Sequence, residues 1–164
     1  YLRQLPITKI FSIPYKRTRE TAAEIAQVLQ LEHTIHDALA ERMNWDDPSV
    51  AWKDFLQEWV KATKERDYLP KYGDSSRQTG KRIQDLLAQS AENDEHIVLV
   101  SHGGAILDYL RNICGDEAVE SLRKTYDAGE DYTMANCAIT TVALNPEPEL
   151  LSLNFHDHLS VVTE

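Results

Sequence analysis

Three cations, Lys16, Arg17 and Arg19, fall within four residues directly after the short β-branched run Ile7 to Ile13 and Pro14. Where a helix begins, free N–H groups and the helix dipole favour anions, so cations there face an unfavourable field. Either an anionic ligand supplies the missing negative charge or the turn is simply a solvated basic one. Further along, Ser101-His102-Gly103-Gly104 follows the apolar run Ile97 to Val100. Glycines at such a turn let backbone approach a ligand closely, and a histidine carries charge or a phosphoryl group near neutral pH. A lone histidine at a strand end is also a common structural feature. An arginine fork matches paired phosphate oxygens. One Arg site and one His site, each after a strand, therefore fit a phosphate-handling pocket better together than either does alone.

The elements that must place these groups alternate. Ile7 to Ile13 reads as a strand, and Tyr15 to Leu29 as a helix with Ala22, Ile25, Ala26 and Leu29 on one face. Thr34 to His36 fits a short strand. Asp47-Pro48 has the form of a helix N-cap followed by proline at the first helical position, and Trp52, Phe55, Leu56, Trp59 and Val60 make an apolar stripe down to about Arg66. Trp45, Trp52 and Trp59 fall seven apart, either an aromatic face packed on the domain or a stacking surface for a ligand. A third helix is expected over Ser75 to Ser90. Ile97 to Val100 reads as a strand buried on both faces, with a helix from Ala105 closed by Gly115. A short helix near Glu117 to Leu122 precedes a hairpin, Ala138 to Leu144 and Leu150 to Phe155, at a sheet edge. The fold class is α/β, a three-layer α/β/α sandwich on a mostly parallel sheet with an antiparallel C-terminal edge. Residues 1–164 are read as one domain in which 45–72 form a helical cover over the pocket. Ligands in such sheets bind beyond the carboxyl ends of the strands.

Composition narrows the function. The 164 residues carry 17 Lys+Arg against 27 Asp+Glu, a net charge of −10 at pH 7. That field repels phosphate backbones and anionic headgroups, so no nucleic-acid or membrane partner is expected, and an anionic substrate needs its own cluster of cations. The longest apolar run, Ile97 to Val100, is far below the ~20 residues that span a bilayer. Two cysteines, Cys114 and Cys137, are too few for a disulfide framework and are expected as buried thiols, which points to a reducing, cytoplasmic setting. His156-Asp157-His158 has metal-like spacing, yet no further ligand is evident, so neither metal nor cofactor is expected.

Ser12-Ile13-Pro14-Tyr15-Lys16-Arg17-Thr18-Arg19-Glu20-Thr21-Ala22 resembles the S-x-L-x-R-A-x-Q-T-A signature of the histidine phosphatase superfamily, the phosphoglycerate-mutase-like group. Val100 to Gly104 is similar to its V-S-H-G-G motif, Leu39-Ala40-Glu41-Arg42 to its L-x-E, and Gly73-Asp74-Ser75 to its G-E-S before a helix. Order and spacing agree through nearly the whole chain.

The resemblance implies metal-independent hydrolysis of small phosphomonoesters through a phosphohistidine. Arg17, His102 and Gly103 would bind the phosphoryl oxygens, and Glu41 would act as general acid and then base, with a pKa raised by burial. His102 would be held protonated by the phosphate it touches. Glu41 has an alternative role as the ion-pair partner of Arg42 or Arg17. Ser12 and Asn136 are candidate pocket residues. The Trp and Phe content of 45–72 leans towards a substrate with an apolar or flat leaving group.

The family's opening R-H-G, whose histidine accepts the phosphoryl group, does not occur in the 164 residues, which begin at Tyr1. By typical element lengths a strand, a helix and their loops, roughly 30 to 50 residues, would precede it. A further strand is then expected beside Ile7 to Ile13 or Ile97 to Ser101. Phosphoryl transfer to a second hydroxyl, as in a mutase, is the near alternative, and a nonenzymatic phospho-ligand binding or scaffold protein is the alternative from another class. Two chains could pair through an uncovered sheet edge or the Val161-Val162 tail.

Overall fold

The computed structural model describes residues 1–90, 95–125 and 134–159, with the side chains of 123–125 left aside. The Val161-Val162 tail lies outside the described residues. The chain forms two compact units, residues 1–109 and 110–164.

The first unit is built on a parallel sheet of β1 (Ile7–Ser12), β2 (Thr34–Ile35) and β3 (His96–Val100), in the order β2-β1-β3. Ser12 pairs with Ile35 on one side and with Val100 on the other, so the strands end level. Helix α1 (Lys16–Leu29) returns over one face. Its Ala22 and Ala26 pack on Ile10, with Val98 and Val100 of β3 around them. No acidic residue lies in the first turn of α1, where Thr18 turns its hydroxyl back to the carbonyls of Tyr15 and Ile13. The cationic start is therefore real, as is its conflict with the helix dipole.

Because β1 is paired on both edges, the further strand expected beside it has no place there. Strand β3 is paired on one side among the described residues. All of Ile97 to Val100 is partly exposed, which corrects the expectation of a strand buried on both faces.

Helix α2 (Trp52–Lys64) starts four residues later than the Asp47-Pro48 pattern suggests. The Asp47 carboxylate accepts the Ser49 N–H at 2.8 Å and the Asp47 carbonyl accepts the Val50 N–H, closing a turn that competes with a helix start. Phe55 and Ala62 face inward with Met43, and Trp59 packs beside them. Trp45 and Trp52 stay about half exposed in a ladder of rings, Trp45 on Trp52 at 5.1 Å and Trp52 on Phe55 at 5.5 Å. The spaced tryptophans thus serve two surroundings. Helix α3 (Ser76–Ser90) opens with a reciprocal cap, in which Gln78 N–H donates to Ser75 Oγ and Ser75 N–H to Gln78 Oε1. Helix α4 (Gly103–Ile113) leaves β3 directly.

In the second unit α5 (Asp116–Thr125), longer than the Glu117 to Leu122 expected, packs on β5 (Glu149–Phe155). β5 pairs antiparallel with β4 (Ile139–Ala143) as the hairpin pattern indicated. Both cysteines are free, but Cys137 is exposed and Cys114 partly so, so the expectation of buried thiols does not hold. No helix among the described residues is long and apolar enough to cross a membrane.

Candidate active site

The level carboxyl ends of β1 and β3 hand the chain to α1 and α4 side by side, and this fixes the site. From the first turn of α1, Arg17 Nη2 reaches His102 Nε2, just after β3, at 3.0 Å. A guanidinium only donates, so Nε2 accepts and the imidazole carries its proton on Nδ1. Burial, and then the Arg17 charge, pushes the His102 imidazolium down to about 4. The expected protonated His102 belongs to a phosphate-bound site. A phosphate dianion between the two would reverse the sign.

Tyr15 completes this edge. Its ring lies 6.0 Å from the His102 ring and beneath the Arg17 guanidinium at 5.3 Å, while its hydroxyl accepts from Asn44 Nδ2 at 2.6 Å. Sequence reasoning missed both Tyr15 and Asn44. Tyr15 lies inside the basic motif, but Asn44, 29 positions away, carries no local signal.

Glu41 enters from the segment after the 3₁₀ turn Asp37–Leu39. Ser101 Oγ donates to the Leu39 carbonyl at 2.6 Å, tying that segment to the end of β3. The Glu41 carboxylate accepts the Gly104 N–H at 3.1 Å and the Arg42 N–H at 2.9 Å. It therefore takes a free donor at the N-terminus of α4, and a Cβ at Gly104 would lie 2.6 Å from Glu41 Oε1. Burial raises the Glu41 carboxyl to about 7, against the lowering effect of the two N–H groups and the Arg42 charge. A carboxyl near 7 both gives and takes a proton at neutral pH. On its other side Glu41 lines a cleft of about 400 Å³ with Asn44, Tyr72, Asp74 and Arg82.

The structure thus brings Arg17, His102 and, at the first turn of α4, Glu41 and Gly103 to one edge of the sheet. Arg19 is exposed. Ser12 is fully buried, with an Oγ that has no partner among the described residues. Asn136 lies in an exposed turn before β4, in the second unit. No group of three or more metal-ligating side chains occurs among the described residues.

A family model described as the histidine phosphatase superfamily (branch 1) matches residues 1–155. The chain belongs to the histidine phosphatase superfamily. No curated protein sequence matches it. Among solved structures, histidine-phosphatase folds align over most of its length. A mycobacterial glucosyl-3-phosphoglycerate phosphatase with inorganic phosphate matches with a TM-score of 0.67 at 19% identity, over 93% of this chain and 79% of that one. A mutant phosphoserine phosphatase from Entamoeba histolytica, in complex with phosphoserine, matches with a TM-score of 0.60 at 22% identity, over 93% and 76% of the two chains. The alpha-ribazole phosphatase of Shigella flexneri gives a TM-score of 0.61 at 16% identity, over 92% and 74%. At these identities the likeness is one of fold.

Proposed function

We propose that this histidine phosphatase superfamily member hydrolyses small phosphomonoesters at the edge where β1 and β3 end. The observation that carries the reading is the pairing of Arg17 with His102 at 3.0 Å, at the sheet edge where the buried Glu41 carboxylate accepts the Gly104 N–H. Arg17 would take two equatorial phosphoryl oxygens in a bidentate clamp, and the Gly103 N–H would face the same anion. His102, protonated once the dianion is bound, would donate to a third oxygen.

Glu41 would give its proton to the leaving oxygen as the phosphoryl group moves in line to a histidine acceptor. It would then take a proton from the water that attacks the phosphohistidine, which restores both groups. The acceptor is not assigned among the 164 residues, since R-H-G does not occur in them. The three similar phosphatases are named for three unlike substrates, so substrate identity is not carried over from them.

Binding does not need the acceptor and gives the direct test. Titration with inorganic phosphate, followed by NMR of the His102 ring, is expected to move its midpoint up from about 4 towards neutrality. Arg17→Ala is expected to weaken phosphate at least about tenfold, as loss of a charge-assisted pair does. A His102 signal indifferent to phosphate at millimolar concentration removes the reading.

A further inference from the structure

We propose that the buried Arg42–Asp108 pair is the positioning device for Glu41, with Asp108 taking up the Arg42 charge so that Glu41 remains free to exchange its proton. This rests on the proposed acid–base role of Glu41. Arg42 follows Glu41 directly and is buried, its guanidinium over the Trp59 ring at 4.6 Å and its Nη1 donating to Thr63 Oγ1 at 3.0 Å. Its Nε lies 3.1 Å from Asp108 Oδ2, off the line of a directed hydrogen bond, so the contact is an ion pair. Both side chains are sealed from water, at 1% and 0% exposure.

Asp108 stands one turn after Gly104 on α4, so a single helix face holds two consecutive residues, Glu41 through the Gly104 N–H and Arg42 through Asp108. Asp108 is itself fixed. Ser76 donates to its Oδ1 at 2.6 Å, and Arg66 donates to its carbonyl at 3.2 Å and to Ser76 Oγ at 3.2 Å. A buried guanidinium needs an anion. Without Asp108 the adjacent carboxyl is Glu41, which would then be held ionised as the counterion of Arg42 and lost as an acid.

Of the other charged groups around Glu41, Asp46 lines the same cleft, and the cations have engagements of their own. Arg66 is bound as above. From α3, Arg82 is paired with Asp74 at 2.9 Å and donates to the Ala40 carbonyl. His102 is bound to Arg17. From α2, Trp59 and Thr63 face Arg42.

The test is the titration of the Glu41 carboxyl, followed by ¹³C NMR without substrate, in wild type, Asp108→Asn and Arg42→Gln. Asp108→Asn removes the negative charge and leaves Arg42 facing Glu41, so the midpoint is expected to fall by about 1 to 3 pH units, the usual effect of an opposite charge at this range. Arg42→Gln is expected to raise it. General loosening of the site would instead carry both variants down towards the ordinary carboxylate value, so opposite signs separate positioning from mere structural support. Should Asp108→Asn fail to fold, the direction of the Arg42→Gln shift decides. Phosphate affinity is expected to stay within about threefold of wild type in either variant. Unmoved midpoints, or shifts of the same sign, overturn the proposal even where phosphate binds normally. Loss of phosphate response in wild type instead removes the reading it rests on.

Discussion

Replacing Glu41 with glutamine should make the protein gain stability relative to wild type as pH rises, while removing its acid–base group. The folded-state carboxyl titrates at about 7 against 4.5 in a model peptide, so the folded chain keeps a proton through a window in which the unfolded chain has lost it. The stabilisation from this group is complete below about 4.5 and is lost as pH rises through about 7. At 1.36 kcal/mol per pH unit the full window is worth about 3 kcal/mol. Roughly 2 kcal/mol of it falls between about pH 5.5 and about pH 8.5.

A glutamine in this place never ionises, and it keeps one acceptor for the two N–H groups, from Gly104 and Arg42, that the carboxylate serves. The unserved donor costs about 1 to 3 kcal/mol at every pH, which displaces the curve without changing its slope. His102 titrates in both proteins and cancels from the difference. Urea unfolding at the two pH values should therefore show the mutant gaining about 2 kcal/mol on wild type from the acid to the alkaline end, whichever is the more stable at either one. A difference that stays constant across the range would mean that Glu41 titrates as an ordinary exposed carboxylate, and the argument for its burial would fall.

In protein that turns over, Glu41→Gln should lower kcat by about 10²-fold or more, as loss of general acid–base help does, read with a chromogenic aryl phosphate. Gly104→Ala places a methyl group against the Glu41 carboxylate and should cost kcat similarly, with a smaller effect on phosphate affinity, because Arg17 and His102 are untouched. Arg17→Ala should raise the His102 midpoint in the absence of phosphate, yet leave it below 6.5, since burial is the larger of the two causes holding it down. Gly73→Ala should destabilise the fold by about 2 kcal/mol or more in thermal melts, because Gly73 sits at φ +114° with the Arg42 carbonyl where a Cβ would go.

How far the sequence discloses this arrangement depends on the range of the forces involved. Helix α1 and the strand before it are legible because each repeats a local pattern, and Arg17 and His102 because each follows a strand that ends at the same edge. The start of α2 is not, since Asp47 satisfies a turn and a helix cap with the same carboxylate oxygen, and only the packing of Phe55 and Trp59 decides between them. Arg42 reads in the sequence only as an alternative ion-pair partner of Glu41. Its burial follows from Asp108, Thr63 and Trp59, residues drawn from two other helices, and nothing in the spacing marks them as partners. Asn44 with Tyr15 is invisible for the same reason. The β3 residues are apolar enough for a doubly covered strand, yet composition does not say whether a neighbour stands on each side.

The parallel register that sets Ser12 beside Val100 joins two stretches of chain lying far apart in sequence. Closing so long a loop is among the slower events in folding, and neither half of the anion site means anything before it happens. On the proposed reading, phosphate would recognise only molecules in which β1 and β3 are already paired, and would be a selective partner of the native ensemble. By mass action, free phosphate at a hundred times its dissociation constant would add about 2.7 kcal/mol to the unfolding free energy. For such a chain, the supply of phosphate in its surroundings would raise its resistance to unfolding as it fills the site.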